Sequence, residues 1–374
     1  MKKIKYVITL SVICFFQFCM VVNASDDGIF TIANEDALDA CLQNESICKL
    51  TADISVNSTK IISDDMVLDL NGHSIIADSS LQLKSGLLGV NRGAKLTIND
   101  SKGTGKISTG TGDNVWAAIQ LIKNNTGEGI AELVVNGGTI EGYYYGVVGN
   151  GNVHNTKVTI NGGVIRGLNQ EDSVGIYQPQ KGELIINNRI IEGGTGIEIR
   201  SGSLTVNDGT IKGLATRFIK MVNTNGTTTN GVGIAIAQHT TKNAIQVTIN
   251  NGNISGQYAL YEWNPHNNSS EDLSHINLRI NGGNFTGFAT GVRTVYSEDF
   301  TAFIAGGHFN KDVSEYLTSD AKLTAKMDEN SLYTFKEQTE KKNNSIVILL
   351  TILLISGGII GFIYCKKNHI LFSK

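Results

Sequence analysis

The sequence predicts an all-β fold, a solenoid of short parallel strands, on three observations. An apolar-x-apolar-Asn tetrapeptide recurs as Leu96-Thr97-Ile98-Asn99, Leu133-Val134-Val135-Asn136, Val158-Thr159-Ile160-Asn161, Leu184-Ile185-Ile186-Asn187, Leu204-Thr205-Val206-Asn207, Val247-Thr248-Ile249-Asn250 and Leu278-Arg279-Ile280-Asn281. An eighth copy, Ala302-Phe303-Ile304-Ala305, has lost its Asn. Glycine follows at a fixed offset, at Gly142, Gly167, Gly193, Gly213, Gly256 and Gly287. A small residue and then an apolar one come next: Gly146-Val147, Gly175-Ile176, Gly196-Ile197, Gly233-Ile234, Ala259-Leu260 and Gly291-Val292.

Each observation specifies one part of a coil. Apolar residues two apart make a strand with one buried face, and Asn followed by Gly turns the chain. A second strand follows, as in Thr139-Ile140-Glu141 and Thr210-Ile211-Lys212, and ends at the glycine. The third strand begins at the small residue. Three strands per turn, each pairing with the next turn at about 4.8 Å, make a parallel β-helix; roughly ten to twelve coils over residues 51–310 give a rod near 50 Å. The uneven spacing of Asn99, Asn136, Asn161, Asn187, Asn207, Asn250 and Asn281 fits a solenoid with insertions better than a propeller. The repeated Asn has a structural role, either in a left-handed turn or in an amide ladder along the rod. The composition agrees: 42 Gly with 2 Pro and 41% hydrophobic residues excludes collagen-like and disordered chains.

The two ends stand apart from the fold. Lys2, Lys3 and Lys5 precede an apolar run, and Val22-Asn23-Ala24 has cleavage-site spacing, so residues 1–24 read as a secretory signal peptide. Residues 346–364 carry no charge and are long enough to span a bilayer as a helix. Cys365, Lys366 and Lys367 follow, which keeps the C-terminus cytoplasmic. The domain reading is signal peptide 1–24, N-terminal cap 25–50, β-helix 51–310, C-terminal cap 311–335, linker 336–344, transmembrane helix 345–365 and cytoplasmic tail 366–374. The expected location is the cell membrane, single-pass, with an extracellular ectodomain.

Six of the 31 basic residues lie in those ends, leaving 25 against 34 acidic and an ectodomain charge of −9. That balance argues against nucleic acid as a partner. Only Cys41 and Cys48 are exported. Asn34 caps a short helix whose apolar face holds Ala37, Leu38, Cys41 and Leu42, and Cys48, Leu50, Ala52 and Ile54 alternate inward along the next strand, so a Cys41–Cys48 disulfide is expected.

The Leu-Thr-Ile-Asn-Gly-Gly-x-Ile-x-Gly repeats and the coil Leu68-Asp69-Leu70-Asn71-Gly72-His73-Ser74-Ile75 resemble the right-handed parallel β-helix, pectate-lyase-like surface proteins of Gram-positive bacteria. The likeness covers about residues 28–335 and includes the closing stretch from Gly306-Gly307-His308-Phe309 to Glu315-Tyr316-Leu317. It implies fold strongly and activity weakly. Lyases on this fold need clustered carboxylates for Ca²⁺ and a base, and glycosidases need a carboxylate pair. Here Asp100, Asp208, Glu171 and Asp172 are scattered, and His154, His239, His266, His275 and His308 lack metal-ligand spacing. No catalytic residue, metal site or cofactor is assigned.

The outward positions of the third strand form the expected ligand face: Gln120, Tyr177, Glu198, Arg200, Tyr261, Trp263 and Arg293. Aromatic rings beside carboxylates and guanidinium groups stack on sugars and clamp extended chains. Tyr143, Tyr144 and Tyr145 add aromatic surface, Pro179 and Pro265 end their strands, and the polar insertions 223–230 and 266–275 are contact loops. The expected function is binding of a glycan or an extracellular protein by a membrane-anchored adhesin. A structural cell-envelope protein and a carbohydrate-active enzyme are the competing readings.

Overall fold

The computed structural model describes residues 28–121, 129–151, 155–290, 293–319, 321–325 and 333–337. The signal peptide, the transmembrane helix, the tail, most of the linker, His154 and the Gly291-Val292 step lie outside the described residues. Among those described, no helix is long and apolar enough to cross a membrane.

The rod starts from a short helix, Glu35–Asn44. Asn34 Oδ1 accepts from the Ala37 N–H at 2.9 Å, and Glu35 and Asp36 sit favourably at the helix N-terminus. Leu38 and Cys41 face inward, and Cys41 is disulfide-bonded to Cys48 with their Cα atoms 6.5 Å apart. Lys60 is buried between Glu35 and Asp39, pairing with each at 2.7 Å, which ties the helix to the first coil.

Three sheets form the walls of a parallel β-solenoid. Sheet A has ten strands, from Phe30–Ile32 to Ile276–Ile280; sheet C has nine, from Lys60–Ile62 to Val295–Ser297. Sheet B has twelve, starting at Ile54–Val56, with every pairing parallel until Tyr333–Glu337 and Ala321–Ala325 close its end as antiparallel strands. The residues read as the start of the linker, 336 and 337, therefore belong to the closing strand. At about 4.8 Å per strand, sheet A is roughly 43 Å long.

Register places like residues in columns inside the rod. In sheet B, Ile107, Ile140, Ile165, Ile191, Ile211 and Ile254 stack in successive coils; in sheet C, Ile119, Val147, Ile176, Ile197, Ile234 and Leu260 do. All are buried, each contributing about 1.5–3 kcal/mol. The small residue opening each sheet C strand has a steric cause. A Cβ on Gly146, Gly175, Gly196 or Gly233 would lie 2.7 Å from the Cγ2 of Ile165, Ile191, Ile211 or Ile254.

The repeated Asn is a ladder. Each side-chain amide donates to the carbonyl of the Asn one coil earlier, from Asn281 through Asn250, Asn207, Asn187, Asn161 and Asn136 to Asn99, over 2.7–2.9 Å. None of these seven has positive φ; the left-handed positions fall instead to glycines beyond them, such as Gly138 and Gly163, and to Arg189 (φ 89°). Arg279 Nε caps the acceptor end by donating to Asn281 Oδ1 at 2.8 Å.

Candidate functional site

Alternation along sheet C sends one column of side chains outward: Gln120, Val148, Tyr177, Glu198, Ala235, Tyr261 and Tyr296. Trp263 lies outward beside Ala237. This is the face expected to bind, but most of it is covered. The insertion between Gly213 and Val232 folds back as a hairpin, pairing Ile219–Lys220 with Thr229–Asn230, and lies on the sheet. Phe218 packs on Tyr258 and Tyr261 at 4.7 and 4.6 Å between ring centroids, and Lys220 Nζ sits 4.9 Å from the Trp263 ring. A second apolar cluster of Val232, Ala235, Ala237, Tyr261 and Trp263 results, outside the rod.

The predicted ligand residues grip this hairpin. Glu198 accepts from the N–H and hydroxyl of Thr228 at 2.8 and 2.9 Å and from both groups of Thr229. Arg200 Nη1 donates to the Gly226 carbonyl at 2.7 Å, Tyr177 Oη donates to the same carbonyl at 2.8 Å, and Trp263 Nε1 donates to Thr228 Oγ1 at 3.3 Å. Glu198 and Arg200 are 0% exposed. The expectation of an open face is therefore corrected for Tyr177, Glu198, Arg200, Tyr261 and Trp263: their partners come from the chain's own insertion. Burial raises the Glu198 carboxyl against the opposing pull of Arg200 and the threonines, and raises the Tyr177 phenol to about 12. Arg293 lies apart, half-exposed near the C-terminal end, hydrogen-bonded to Tyr316 Oη and ion-paired with Glu315.

What remains open is a groove of about 350 Å³ on the N-terminal side of the hairpin. Gln120, Tyr145, Val148 and Tyr177 line it from sheet C, with Lys84, Ser85 and Trp116 on one side and Thr224, Asn225, Gly226 and His239 on the other. Trp116 is 38% exposed and meets Tyr144 edge-on at 6.0 Å, while Tyr145 stacks on Tyr177 at 5.8 Å. Burial raises the Tyr145 phenol strongly, so the groove presents neutral hydroxyls and rings. Gln120 Oε1 accepts from the Gly86 N–H at 3.0 Å, and its NH₂ has no acceptor among the described residues.

Gln120 and Tyr177 are thus the two predicted residues that reach the groove. Asn225 falls in the insertion 223–230 expected to make contacts, whereas Trp116, Lys84, Asn150 and His239, which also line the groove, were missed. Trp116 was detectable in principle, two residues before the small Ala118 that opens its strand bend. Asn225 and His239 arrive through loop folding that no local pattern encodes. Among the described residues, no carboxylate lines the groove and no cluster of three or more His, Cys, Asp or Glu suited to a metal occurs. Compared with family models, curated proteins and solved structures, the chain matches none.

Proposed function

We propose that the chain is a cell-surface protein that binds a glycan in the groove between Trp116 and the hairpin tip. The observation that carries this reading is the combination in one groove of an exposed indole, stacked tyrosines and side-chain amides, a lining suited to sugar faces and hydroxyls. The lack of a lining carboxylate among the described residues favours binding over hydrolysis, which needs an acid and a base or nucleophile. The repeat motif supports placing the chain with the right-handed, pectate-lyase-like surface β-helices of Gram-positive bacteria. The Lys-rich leader and the uncharged run 346–364 support export and a single C-terminal anchor, hence an adhesin-like role. An extracellular protein partner is the alternative ligand, and a purely structural envelope role is what remains if nothing binds.

The test is a screen of the full-length chain against a broad set of bacterial and host glycans, with Trp116→Ala alongside. Binding of one glycan class is expected, weakened about tenfold or more by loss of the indole, since such a stacking contact is worth about 0.5–1.5 kcal/mol beyond its buried area. Binding unaffected by Trp116→Ala would move the site elsewhere. No binding by folded protein would end the glycan reading.

A further inference from the structure

The wall of the groove made by residues 223–226 hangs on two histidines. His239 Nε2 lies 2.8 Å from the Thr224 carbonyl, and a carbonyl only accepts, so Nε2 carries the proton. His239 Nδ1 accepts from the Thr241 N–H at 3.2 Å and so carries none. His266 Nε2 lies 3.1 Å from Arg200 Nη2, and a guanidinium only donates, so this nitrogen must also be unprotonated. The His266 ring also hydrogen-bonds the Asn223 backbone. His266 is thus held neutral by its accepting bond, and the two imidazoles stand beside consecutive residues of the hairpin tip. Their rings are 5.9 Å apart.

We infer that residues 223–226 form a pH-sensitive wall of the groove, latched by neutral His266 and released when it takes up a proton. Protonating His266 sets a second cation 3.1 Å from Arg200 and removes the acceptor of its Nη2. Arg200 also holds the Gly226 carbonyl, so the disturbance reaches the tip directly.

Charged and titratable groups approach the two rings from several elements. From sheet C come Arg200, Glu198 and Tyr177; from the hairpin, Lys220; from the loops on either side of Ile245–Ile249, Lys242 and Asp272; and across the groove, Lys84. The Glu198 carboxylate is engaged by Thr228 and Thr229, and that of Asp272 by Lys242 at 2.8 Å. Burial, Arg200 and His239 all hold His266 below the usual imidazole range, in agreement with this geometry. The unfolded or released tip then binds more protons than the latched one below about pH 6.5, so latching weakens as pH falls through that range.

The inference rests on reading the groove as the ligand site, but its test needs no ligand. Amide hydrogen exchange of the full-length chain is followed from about pH 8 to about pH 5, each rate normalised to the intrinsic chemical rate at that pH. In the wild type, protection of residues 221–228 is expected to fall about tenfold or more relative to strand Gly182–Ile186. His239→Gln with His266→Gln keeps an acceptor at each position without a titrating proton and should flatten the profile. Constant wild-type protection down to pH 5 would overturn the latch, and so would an equal loss in the double variant. If the double variant does not fold, the wild-type series decides alone. A negative glycan screen beside a positive exchange result would remove the ligand while leaving the latch in place.

Discussion

The outer faces of sheets A and C are built from the same period-2 strands and have opposite fates. Sheet A repeats its chemistry along each column: the Asn ladder runs through seven coils, and beside it the β-branched residues Thr97, Val134, Thr159, Ile185, Thr205 and Thr248 stack in register. Sheet C places Gln, Val, Tyr, Glu, Ala, Tyr and Tyr in one column and then covers half of it with an insertion. The difference separates two uses of a solenoid surface. Repetition gives each coil identical neighbours and a structural role, whereas variation along a column makes each coil chemically distinct, as recognition requires.

The largest effect expected to break this contrast is at Glu198. Glu198→Ala removes the acceptor of two hydroxyls and two N–H groups and leaves these buried donors unsatisfied, at about 1–3 kcal/mol for each group left unpaired, so a loss of roughly 3–5 kcal/mol is expected. Because the rod has its own apolar core, the loss should stay in the hairpin. Hydrogen exchange should show residues 218–230 deprotected with sheet A unchanged; global unfolding would mean that the hairpin is part of the core.

Glu262 sharpens the comparison from inside. The inward positions of sheet A carry no charged side chain among the described residues, but in sheet C Glu262 stands in register with Ile236, accepting from Ser297 Oγ at 2.6 Å and from the N–H groups of Glu298 and Asp299. Burial pushes its carboxyl up to about 7. The folded state then holds a proton that the unfolded chain releases near pH 4.3, so this contribution is present below that value and is lost as pH rises through 7. At full ionisation the loss is of the order of 3 kcal/mol. Glu262→Gln should raise the melting temperature at pH 8 more than at pH 5; an equal shift at both would place the proton elsewhere.

The smallest effect belongs to the ladder. Asn161→Ala deletes two exposed amide bonds, each worth about 0.5–1.5 kcal/mol at most when buried and less in solvent, so about 1 kcal/mol is expected by denaturant unfolding. A loss of several kcal/mol would show the ladder to be cooperative along the rod.

The repeat itself was legible because it is local. A strand with one buried face needs apolar residues two apart, and the bend before the third strand needs a residue without a bulky Cβ; both requirements appear within a few residues of sequence. The disulfide partners Cys41 and Cys48 were legible for the same reason. The alternatives for the repeated Asn were not separable locally, because a left-handed turn and a ladder use the same residue; the backbone angles and the coil-to-coil distance separated them.

Orientation on the third strand was also readable, but exposure was not. Period-2 alternation fixes that Tyr177, Glu198, Tyr261 and Trp263 leave the rod interior. Whether they then meet solvent depends on where the insertion between Gly213 and Val232 comes to rest. That is set by contacts between residues 26–49 positions apart in the chain, such as Arg200 with Gly226, Glu198 with Thr228 and Tyr177 with Gly226. The sequence by itself therefore determined the coil, its core and its small-residue bends, since these follow from neighbouring residues repeating a steric rule. Only the tertiary structure decided which outward side chains line a groove and which hold a hairpin, since burial of a surface residue is a property of what folds over it.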